Sequence, residues 1–362
     1  MICEICGSTL NYLEFSSDLS FSSDGKTISR VLEHNYCTSC GVILVAENSR
    51  LDKVQFYGEE YNYISPNDLN IESDTIPANL EFFLYFLKNH PVKERKNILD
   101  IGAGRGTLLN VIHREFPECN YFAVEPGQSY KYILDFVYSK HNSFFENSEY
   151  INMKFDVIIS TGVLHHTYSV VKFLELVRNC LDNKGIFLVE LPNFRYNKSD
   201  ILISDHIWKF TDKVFESLIG YAGYEIICKN VENVVPMRFI LSKGNKQILK
   251  EIKVDSQIES SVKYVRGTVE MCKRYKLKNE RFFVYGQGII YHYLCSLNLI
   301  DSNNVVAFID DNKCYIGGTI SGKPVISIDD IGKYSCKKVF LSMNDCYHDN
   351  VIRRLPGYEI FR

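Results

Sequence analysis

Four cysteines near the start of the chain have the spacing of metal ligands. Cys3 and Cys6 are separated by two residues, as are Cys37 and Cys40, and a glycine follows each pair. Two such pairs are typical of a zinc ion held in a tetrahedron by four thiolates, and four protein ligands leave no open position for catalysis. The pattern therefore predicts a structural zinc site, with free thiols of a reduced protein as the alternative.

A glycine-rich turn has the composition of a site for a nucleotide or a related ligand. Residues 98–101 are an apolar strand interrupted by Asp100, and Gly102, Gly104 and Gly106 follow it. Glycines let the backbone turn tightly and come close to a ligand. Leucine and isoleucine then recur at helical spacing, so we expect a strand, a turn and a helix.

Two acids belong to the same site if their strands lie side by side. Asp100 precedes the glycine turn, and Glu125 ends a second apolar strand, residues 121–124, about 25 residues further on. An acid at the end of the second strand is where a Rossmann-type site binds the hydroxyls of a ribose. Asp100 would repel a pyrophosphate, which disfavours a dinucleotide. The two acids indicate a ribose-containing ligand without phosphates.

Two histidines follow another buried strand. Residues 155–160 form this strand, and His165 and His166 come shortly after Thr161 at its end. Ligands of open α/β sheets bind at the carboxyl ends of the strands, so this segment is expected at the site. A histidine there can act as a general base, because its pKa lies near neutral pH. The alternative, which we favour for each histidine, is packing beneath the loop or contact with a ligand by shape alone.

The motifs NILDIGAGRGT (residues 97–107) and AVEPG (residues 123–127) resemble those of class I S-adenosylmethionine (SAM)-dependent methyltransferases. The resemblance implies that the glycine turn holds the amino-acid end of SAM, that the acid after the second strand binds its ribose, and that a phenylalanine after the third strand stacks on its adenine. A tyrosine-rich segment before the first strand resembles the lid of related enzymes, although it equally fits aromatic residues that pack a linker onto the core. The residues expected at SAM are Asp100, Gly102, Ala103, Gly104, Gly106, Glu125, Pro126, Phe145, Thr161 and, in the lid, Tyr63.

The segment ISDHIWKFT (residues 203–211) is similar to one found in sugar-nucleotide C-methyltransferases. The resemblance implies that His206 lies by the transferred methyl group and deprotonates the substrate, with Asp205 beside it and with His165 or His166 assisting. The alternative is a capping or packing histidine. Two departures from the family pattern are Ile203, where a tyrosine is usual, and residues 233–238, which lack a glycine pair. Both leave C-methylation and O-methylation open.

A second glycine turn occurs near the end of the chain. Residues 282–288 read FFVYGQG, and a later strand, residues 305–309, ends in Asp310. This part resembles the C-terminal domain of sugar C-methyltransferases and the nucleotide-sugar-binding domain of sugar O- and N-acyltransferases. The resemblance implies that Gly286, Gly288 and Asp310 contact a nucleotide-sugar substrate. The alternative is a Rossmann-like half that serves as a platform or a dimer surface.

Composition narrows the class of protein. The chain has 362 residues, a net charge of -3 and 12 cysteines. The slight acidity disfavours a nucleic-acid partner, because a nucleic-acid footprint needs a basic surface. Apolar runs are too short for a membrane span, and residues 1–4 do not resemble a signal peptide. Cysteines in such a chain indicate metal ligands and buried thiols in a reducing compartment, so we expect a cytoplasmic protein.

These observations predict an α/β fold in three domains: a zinc ribbon-like module over residues 1–50, a Rossmann-like SAM methyltransferase domain over 51–245, and a smaller Rossmann-like α/β domain over 246–362. Helices are expected over residues 78–90 and 129–138, among others. The predicted function is methyl transfer to a nucleotide-linked or otherwise activated sugar in bacterial polysaccharide or secondary-metabolite synthesis. The alternatives are O-methylation of another small molecule or glycan, a zinc-module rRNA methyltransferase, and a non-catalytic SAM- or sugar-binding subunit. The sequence does not decide the oligomeric state.

Overall fold

The structure is a computed structural model that describes residues 1–60, 78–89, 96–313 and 315–362. Its strands form three main sheets, which follow one another along the chain. One strand breaks this order: Trp208–Lys209, which comes from the part of the chain that forms the central sheet, belongs to the N-terminal sheet.

The N-terminal sheet has four antiparallel strands in the order β1-β4-β5-β11. A two-stranded ribbon, β2-β3, lies beside it. The last strand of the sheet comes from much later in the chain: Trp208 pairs with Leu44. The four-cysteine module is thereby joined to the segment that follows His206. The strands are β1 (Leu10–Tyr12), β2 (Ser20–Phe21), β3 (Thr27–Ile28), β4 (His34–Cys37), β5 (Ile43–Val45) and β11 (Trp208–Lys209).

The central sheet has seven strands in the order β12-β13-β10-β9-β6-β7-β8. Five neighbouring strands are parallel, and an antiparallel hairpin closes one edge. Its middle strands are apolar runs because helices cover both faces. The chain adds β7 and β8 on one side of β6 and then returns to add β9 on its other side. A crevice for a ligand opens where the strand order reverses in this way. The strands are β6 (Asn97–Ile101), β7 (Asn120–Val124), β8 (Ser139–His141), β9 (Phe155–Thr161), β10 (Leu181–Leu191), β12 (Tyr224–Asn230) and β13 (Met237–Lys243).

Two of the longer helices around the central sheet begin at polar caps. The Ser169 hydroxyl accepts a hydrogen bond from Lys172 N at 3.2 Å, and the Thr211 hydroxyl accepts one from Val214 N at 3.3 Å. Such caps satisfy amide groups that the helix itself leaves unpaired. The helices are α1 (Lys53–Gln55), α2 (Ala78–Asn89), α3 (Thr107–Glu115), α4 (Val170–Cys180) and α5 (Asp212–Tyr221).

The helix predicted over residues 129–138 is wrong. The structure has a short 3-10 turn at Gln128–Tyr132 followed by irregular chain. Aromatic and β-branched residues dominate this stretch, and their helix propensity is weak. Ile133 is buried and lies directly over Gly106 of the glycine turn, so a tertiary contact decides the local conformation.

The C-terminal sheet has six strands in the order β16-β17-β15-β14-β18-β19. A long helix leads into it, and two shorter helices flank it. An ion pair between Lys198 and Asp345 joins it to the central part, as does a hydrogen bond from Val235 N to the Tyr347 hydroxyl at 3.1 Å. The elements are α6 (Asp255–Tyr275), β14 (Phe282–Tyr285), α7 (Ile289–Ser296), β15 (Val305–Ile309), β16 (Thr319–Ile320), β17 (Lys323–Ile326), β18 (Lys338–Leu341), α8 (His348–Arg353) and β19 (Glu359–Phe361).

The architecture confirms the predicted fold class: a Rossmann-like α/β sheet, a second, smaller and mostly parallel sheet, and an N-terminal module that brings four cysteines together. In the parts of the chain that the structure describes, every helix is too short or too polar to span a lipid bilayer.

Candidate active site

A cavity of about 730 Å³ opens at the carboxyl ends of β6, β7, β9 and β10. Most of the residues predicted to bind SAM line it. Gly106 is not in the wall and instead precedes the first residue of α3. Tyr63 lies outside the described residues. The predicted SAM residues in the wall are Asp100, Gly102, Ala103, Gly104, Glu125, Pro126, Phe145 and Thr161.

The glycine turn is shaped by positive φ angles. Gly102 has φ +74° and Gly104 has φ +55°, a backbone region that residues with a side chain rarely adopt. A Cβ on Gly102 would lie 2.2 Å from Cγ2 of Val163, whereas a Cβ on Gly104 would meet no atom within 4 Å. The first glycine is therefore needed for packing within the protein. The second keeps backbone exposed to the cavity, as a bound ligand requires.

A buried carboxylate lies at the end of β6. The Asp100 side chain is 1% exposed, and its Oδ1 accepts no hydrogen bond from any described residue. Burial and, second, the nearby charge of Glu125 raise the pKa of Asp100 to about 7. An unpaired acid in this position suits a cationic partner. The ammonium and sulfonium groups of SAM have that charge, so the residues fit the cofactor.

Glu125 is held in place by two backbone amides. Its Oε2 accepts a hydrogen bond from Gly104 N at 2.9 Å, and its Oε1 accepts one from Gly127 N at 2.7 Å. The acid after the second strand is thus fixed against the glycine turn, at the edge of the cavity, where a ribose would lie in a Rossmann-type site.

The raised pKa of Asp100 predicts that SAM binds more tightly as the pH rises. Below about pH 7 the Asp100 carboxyl group is mostly protonated and neutral. Because the cationic groups of SAM bind the ionised carboxylate, protonation weakens the binding of SAM. From about pH 6 to pH 8 the affinity should increase about tenfold and then level off. Calorimetry in two buffers of different ionisation enthalpy should show proton release near pH 6. The Asp100→Asn variant should show neither the increase nor the release, and a pH-independent affinity of the unmodified chain would contradict the assignment.

Two phenylalanines and a lysine form another wall of the cavity. Phe145 is buried and packs on Phe173, with ring centroids 6.0 Å apart. The Phe144 ring has Lys53 Nζ over its face, 4.4 Å from the centroid. Either ring could contact an adenine, as expected for this stretch. The sequence did not predict that Lys53 lies at this cavity, because a single lysine in a polar segment is ordinarily solvent-exposed.

Tyr57 connects the segment before the central sheet to the histidines. It lines the cavity, and its hydroxyl lies 2.7 Å from Nδ1 of His166. The tyrosine-rich pattern predicts that this segment lies over the site, and Tyr63, rather than Tyr57, is the residue that the sequence analysis names for contact with SAM. The described part of the segment, up to residue 60, therefore does reach the candidate site.

Three histidines lie together at the end of β9. The ring centroids of His165 and His166 are 4.1 Å apart, and those of His165 and His206 are 4.4 Å apart. The distance from His166 to His206 is 4.9 Å. His166 lines the cavity, whereas His165 and His206 are buried beside it. We call these three residues the histidine cluster. Burial lowers the pKa of His166 to about 4, so its ring is neutral at physiological pH.

The acid beside His206 is Asp200, and the predicted pairing with Asp205 requires correction. Asp200 Oδ1 lies 2.5 Å from His206 Nδ1. The carboxylate of Asp205 instead accepts two hydrogen bonds from Ser23, from N at 2.8 Å and from Oγ at 2.6 Å. Asp205 turns away because its neighbours pair with the four-cysteine module: Ser204 N donates to Phe21 O.

Asp200 is a buried acid that remains ionised. Burial alone would raise its pKa, but the charges of His206 and Lys209 outweigh it and hold the pKa below its usual range. Lys209 Nζ lies 3.7 Å from Asp200 Oδ2 and donates to the carbonyl oxygens of Ile203 and His206, at 3.0 and 2.9 Å. No motif in the sequence pointed to Asp200.

The far side of the cavity is formed by two parts of the chain. Arg238 of β13 donates from Nε to Glu190 of β10 at 2.6 Å, and both side chains line the cavity. Asn312, which follows β15 of the C-terminal sheet, lines it as well. A ligand in the cavity can therefore contact the central and the C-terminal sheets together.

The predicted substrate residues of the C-terminal sheet lie outside this wall. A Cβ on Gly288 would be 1.8 Å from the Ser342 carbonyl oxygen, so that glycine is required by contact with the protein's own backbone. Gly286 has a positive φ of +73°, and a Cβ there would lie 3.3 Å from Cβ of Met343. Asp310 Oδ1 accepts a hydrogen bond from Asn312 N at 2.8 Å. Their contact with substrate stays a prediction, although Asp310 directly supports the residue that lines the cavity.

The four cysteines converge as a metal site requires. The Sγ atoms of Cys3 and Cys40 are 3.7 Å apart, those of Cys6 and Cys37 are 3.4 Å apart, and all four lie within 4.8 Å of one another. A tetrahedron with Zn–S bonds of about 2.3 Å has sulfur atoms about 3.8 Å apart. The arrangement is compatible with zinc.

The comparison with protein families finds a similarity in the central part of the chain. Residues 73–229 match the family model described as a methyltransferase domain. This range contains β6 to β11 and all but the last residue of β12, and with them the whole glycine turn and the histidine cluster. The central part of the chain is therefore similar to methyltransferase domains. No curated protein matches the chain.

Solved structures with a similar course of the chain include three methyltransferases. The plantazolicin methyltransferase BpumL, in complex with a monoazolic desmethylPZN analog and SAH, is 16% identical over 50% of this chain and 86% of its own, with a TM-score of 0.41. A S-adenosylmethionine-dependent methyltransferase from Clostridium acetobutylicum is 14% identical over 49% and 96%, with a TM-score of 0.38. The mitomycin 7-O-methyltransferase MmcR is 14% identical over 46% and 54%, with a TM-score of 0.37.

Proposed function

We propose that the chain is a methyltransferase that uses SAM to methylate a nucleotide-linked or otherwise activated sugar, and that the histidine cluster takes the proton that the acceptor loses. The observation that carries the proposal is the meeting of three features in one cavity. These are the unpaired carboxylate of Asp100 at the glycine turn, the ring of His166, and Asn312 from the C-terminal sheet. The setting that fits such a substrate is bacterial polysaccharide or secondary-metabolite synthesis.

The first requirement of the reaction is a fixed methyl donor. SAM, when bound, supplies a methyl group on a positively charged sulfur. Asp100 would balance positive charge at one end of the cavity, and Glu125, fixed by two backbone amides, would receive the ribose. Holding donor and acceptor in one orientation removes much of the entropic barrier to methyl transfer, and this is the main contribution of such a site to catalysis.

The second requirement is a group that accepts a proton. The Asp205 carbonyl oxygen lies 2.7 Å from Nδ1 of His166 and can only accept a hydrogen bond. The Tyr57 hydroxyl lies 2.7 Å from the same nitrogen and can accept a hydrogen bond as well. In the tautomer with the hydrogen on Nδ1, which pairs with both oxygens, Nε2 keeps the lone pair that a base needs. The ionised Asp200 accepts a hydrogen bond from Nδ1 of His206 on the inner side of the cluster. Its negative charge would stabilise a proton taken up by the neighbouring rings.

The substrate class is supported by the far wall of the cavity. Arg238 presents a guanidinium group, which recognises phosphate and other oxyanions, and Asn312 offers an amide that can pair with hydroxyl groups. A ligand with a phosphate-linked part and a hydroxyl-rich part would use both. This combination favours a nucleotide sugar over a small apolar acceptor.

The test is mass spectrometry of the protein with SAM and a panel of nucleotide sugars, including 4-keto-6-deoxy forms, repeated in heavy water. A gain of one methyl group supports the proposal. Exchange of a substrate carbon-bound hydrogen for deuterium would assign C-methylation through an enolate-like intermediate, and a gain without exchange would assign O-methylation. No gain on any nucleotide sugar, with turnover on another acceptor, would overturn the substrate class.

The role of the histidine cluster predicts a large loss in the His166→Gln variant. Glutamine can still donate a hydrogen bond to the Asp205 carbonyl, but it offers no basic nitrogen. We expect kcat to fall about 100-fold while SAM affinity changes little. The matched control is His141→Gln, because that ring lies on β8 and contacts Glu149. Full turnover of the His166→Gln variant would remove this residue from proton transfer.

A further inference from the structure

The histidine cluster has the geometry of a metal site. One ring nitrogen of each of His165, His166 and His206 lies within 4.8 Å of the others. The ring planes are inclined by 40°, 83° and 77°, so the rings are not stacked face to face. Three imidazoles on one zinc-like ion have nitrogen atoms about 3.4 Å apart, given metal–nitrogen bonds of about 2.1 Å. Small rotations of the three rings would bring their nitrogen atoms from the present separation, which is up to 4.8 Å, to the distance that a metal ion requires.

Two of the three rings already have the hydrogen bonds that metal-bound histidines make. A histidine that binds a metal usually donates its other ring N–H to a carboxylate or a backbone carbonyl. His206 Nδ1 is bonded to the Asp200 carboxylate, and His166 Nδ1 is bonded to the Asp205 carbonyl. In a neutral imidazole whose hydrogen is on Nδ1, Nε2 keeps a lone pair that a metal ion can accept. These partners orient the rings whether the lone pairs face a proton or a cation.

The third ring has an unpaired nitrogen. His165 is 2% exposed, and its Nδ1 makes no hydrogen bond to any residue in the described ranges. A buried polar nitrogen without a partner is costly, and native structures usually give such an atom a ligand. A metal ion bound at this nitrogen would satisfy it.

The charges around the cluster also favour a cation. The carboxylates of Asp200 and Asp205 both approach its rings, the second at 3.6 Å from His166 Nδ1, while the ammonium group of Lys209 lies behind Asp200. These two carboxylates and this ammonium group together carry a net negative charge beside the three imidazole rings. A divalent cation at the three nitrogens would be attracted by this charge.

We propose that His165, His166 and His206 bind a first-row divalent metal ion, with Zn²⁺ or Co²⁺ as the matching chemistry, at a site separate from the four cysteines. Imidazole nitrogen suits zinc, cobalt, nickel and copper, whereas four thiolates form the softer site that retains zinc. Because His166 also lines the cavity, the ion would border the space that the acceptor occupies. If the proposed function holds, occupation of this site uses the lone pairs that accept the proton, so the metal inhibits methyl transfer.

Cobalt is the probe that separates the two metal sites. The full-length chain with its cysteine site loaded with zinc is titrated with Co²⁺ and followed by visible absorption. We expect one equivalent of Co²⁺ with d–d bands but without thiolate charge transfer. His166→Gln should weaken this binding by at least about tenfold, and Asp200→Asn should weaken it about 10- to 100-fold. His141→Gln should leave it unchanged, because that ring lies outside the cluster.

The outcomes are distinguishable because binding is read without an acceptor. Absence of the d–d bands from a folded protein that still binds SAM would overturn the proposal, as would equal binding by the His166→Gln variant. Bands with strong thiolate charge transfer would place the cobalt at the cysteines and would also overturn it. If cobalt binds to the cluster and methyl transfer continues unchanged, the metal site stands and the histidines lose their part in the proposed reaction.

Discussion

In the Cys37→Ser variant we expect methyl transfer to fall about 1000-fold, although SAM still binds with nearly its original affinity. The reason is the path by which the four-cysteine module reaches the candidate site. Its sheet contains β11, which begins two residues after His206, and Ser23 of the module holds the Asp205 carboxylate. Loss of a structural zinc removes roughly 10 kcal/mol of folding free energy from such a module. Misplacing catalytic groups by about 1 Å costs about 100-fold, and here the whole histidine cluster would lose its support.

A tryptophan at the contact between the four-cysteine module and the central part of the chain can report on the state of the module by its fluorescence. Trp208 is the single tryptophan of the chain, it is 2% exposed, and its Nε1 donates to the Thr167 carbonyl at 2.7 Å. When the module unfolds, β5 can no longer cover this ring. We therefore expect the fluorescence of Trp208 to shift to longer wavelength in the Cys37→Ser variant, in parallel with the loss of zinc and of turnover.

A matched cysteine controls for the substitution itself. Cys228 is half-buried on β12 and is not part of the four-cysteine group, so Cys228→Ser should keep zinc, emission and activity. Treatment of the unmodified chain with a chelator should reproduce the Cys37→Ser result. If the metal-free protein keeps its original emission and turns over at the original rate, the module does not position the histidines.

Much of the central fold follows from local patterns in the sequence. Residues 121–124 and 157–159 are short apolar runs, and residues 98–101 are apolar except for Asp100; such runs predict strands that are buried on both faces. The glycine turn is also local, because its φ angles and the following helix depend on neighbouring residues. For this reason the sequence alone is enough to place Asp100 and the glycines together at one end of the sheet.

The parts that could not be predicted depend on contacts between distant residues. β11 pairs with β5 although more than 160 residues separate them, and a two-residue strand has no periodicity to detect. Asp200 lies in a short 3-10 turn and reaches His206 only because the intervening chain folds back, with Lys209 pinned to the Ile203 carbonyl. A periodic pattern shows which side of an element is buried, but it does not show which other element covers it.

The Gly102→Ala variant should lose most of its affinity for SAM, by about 100-fold or more, and should also be less stable. A Cβ at this position would lie 2.2 Å from Cγ2 of Val163, which itself lines the cavity between the glycine turn and the histidine cluster. Alanine at a positive φ costs about 1–2 kcal/mol, and overpacking a tight contact costs about 1–3 kcal/mol more. Equilibrium binding of SAM and thermal unfolding measure the two effects.

Two further variants separate the clash from the backbone strain. Gly357 also has a positive φ, +81°, and a Cβ there would meet no atom within 4 Å, so Gly357→Ala should lose stability by the strain alone and keep SAM affinity. The double variant Gly102→Ala, Val163→Ala removes the atoms that the new Cβ would meet and should recover part of the lost affinity. If the double variant recovers nothing, the loss comes from the conformation of the turn rather than from contact with Val163. If Gly102→Ala binds SAM normally, the turn is not the part of the chain that holds the cofactor.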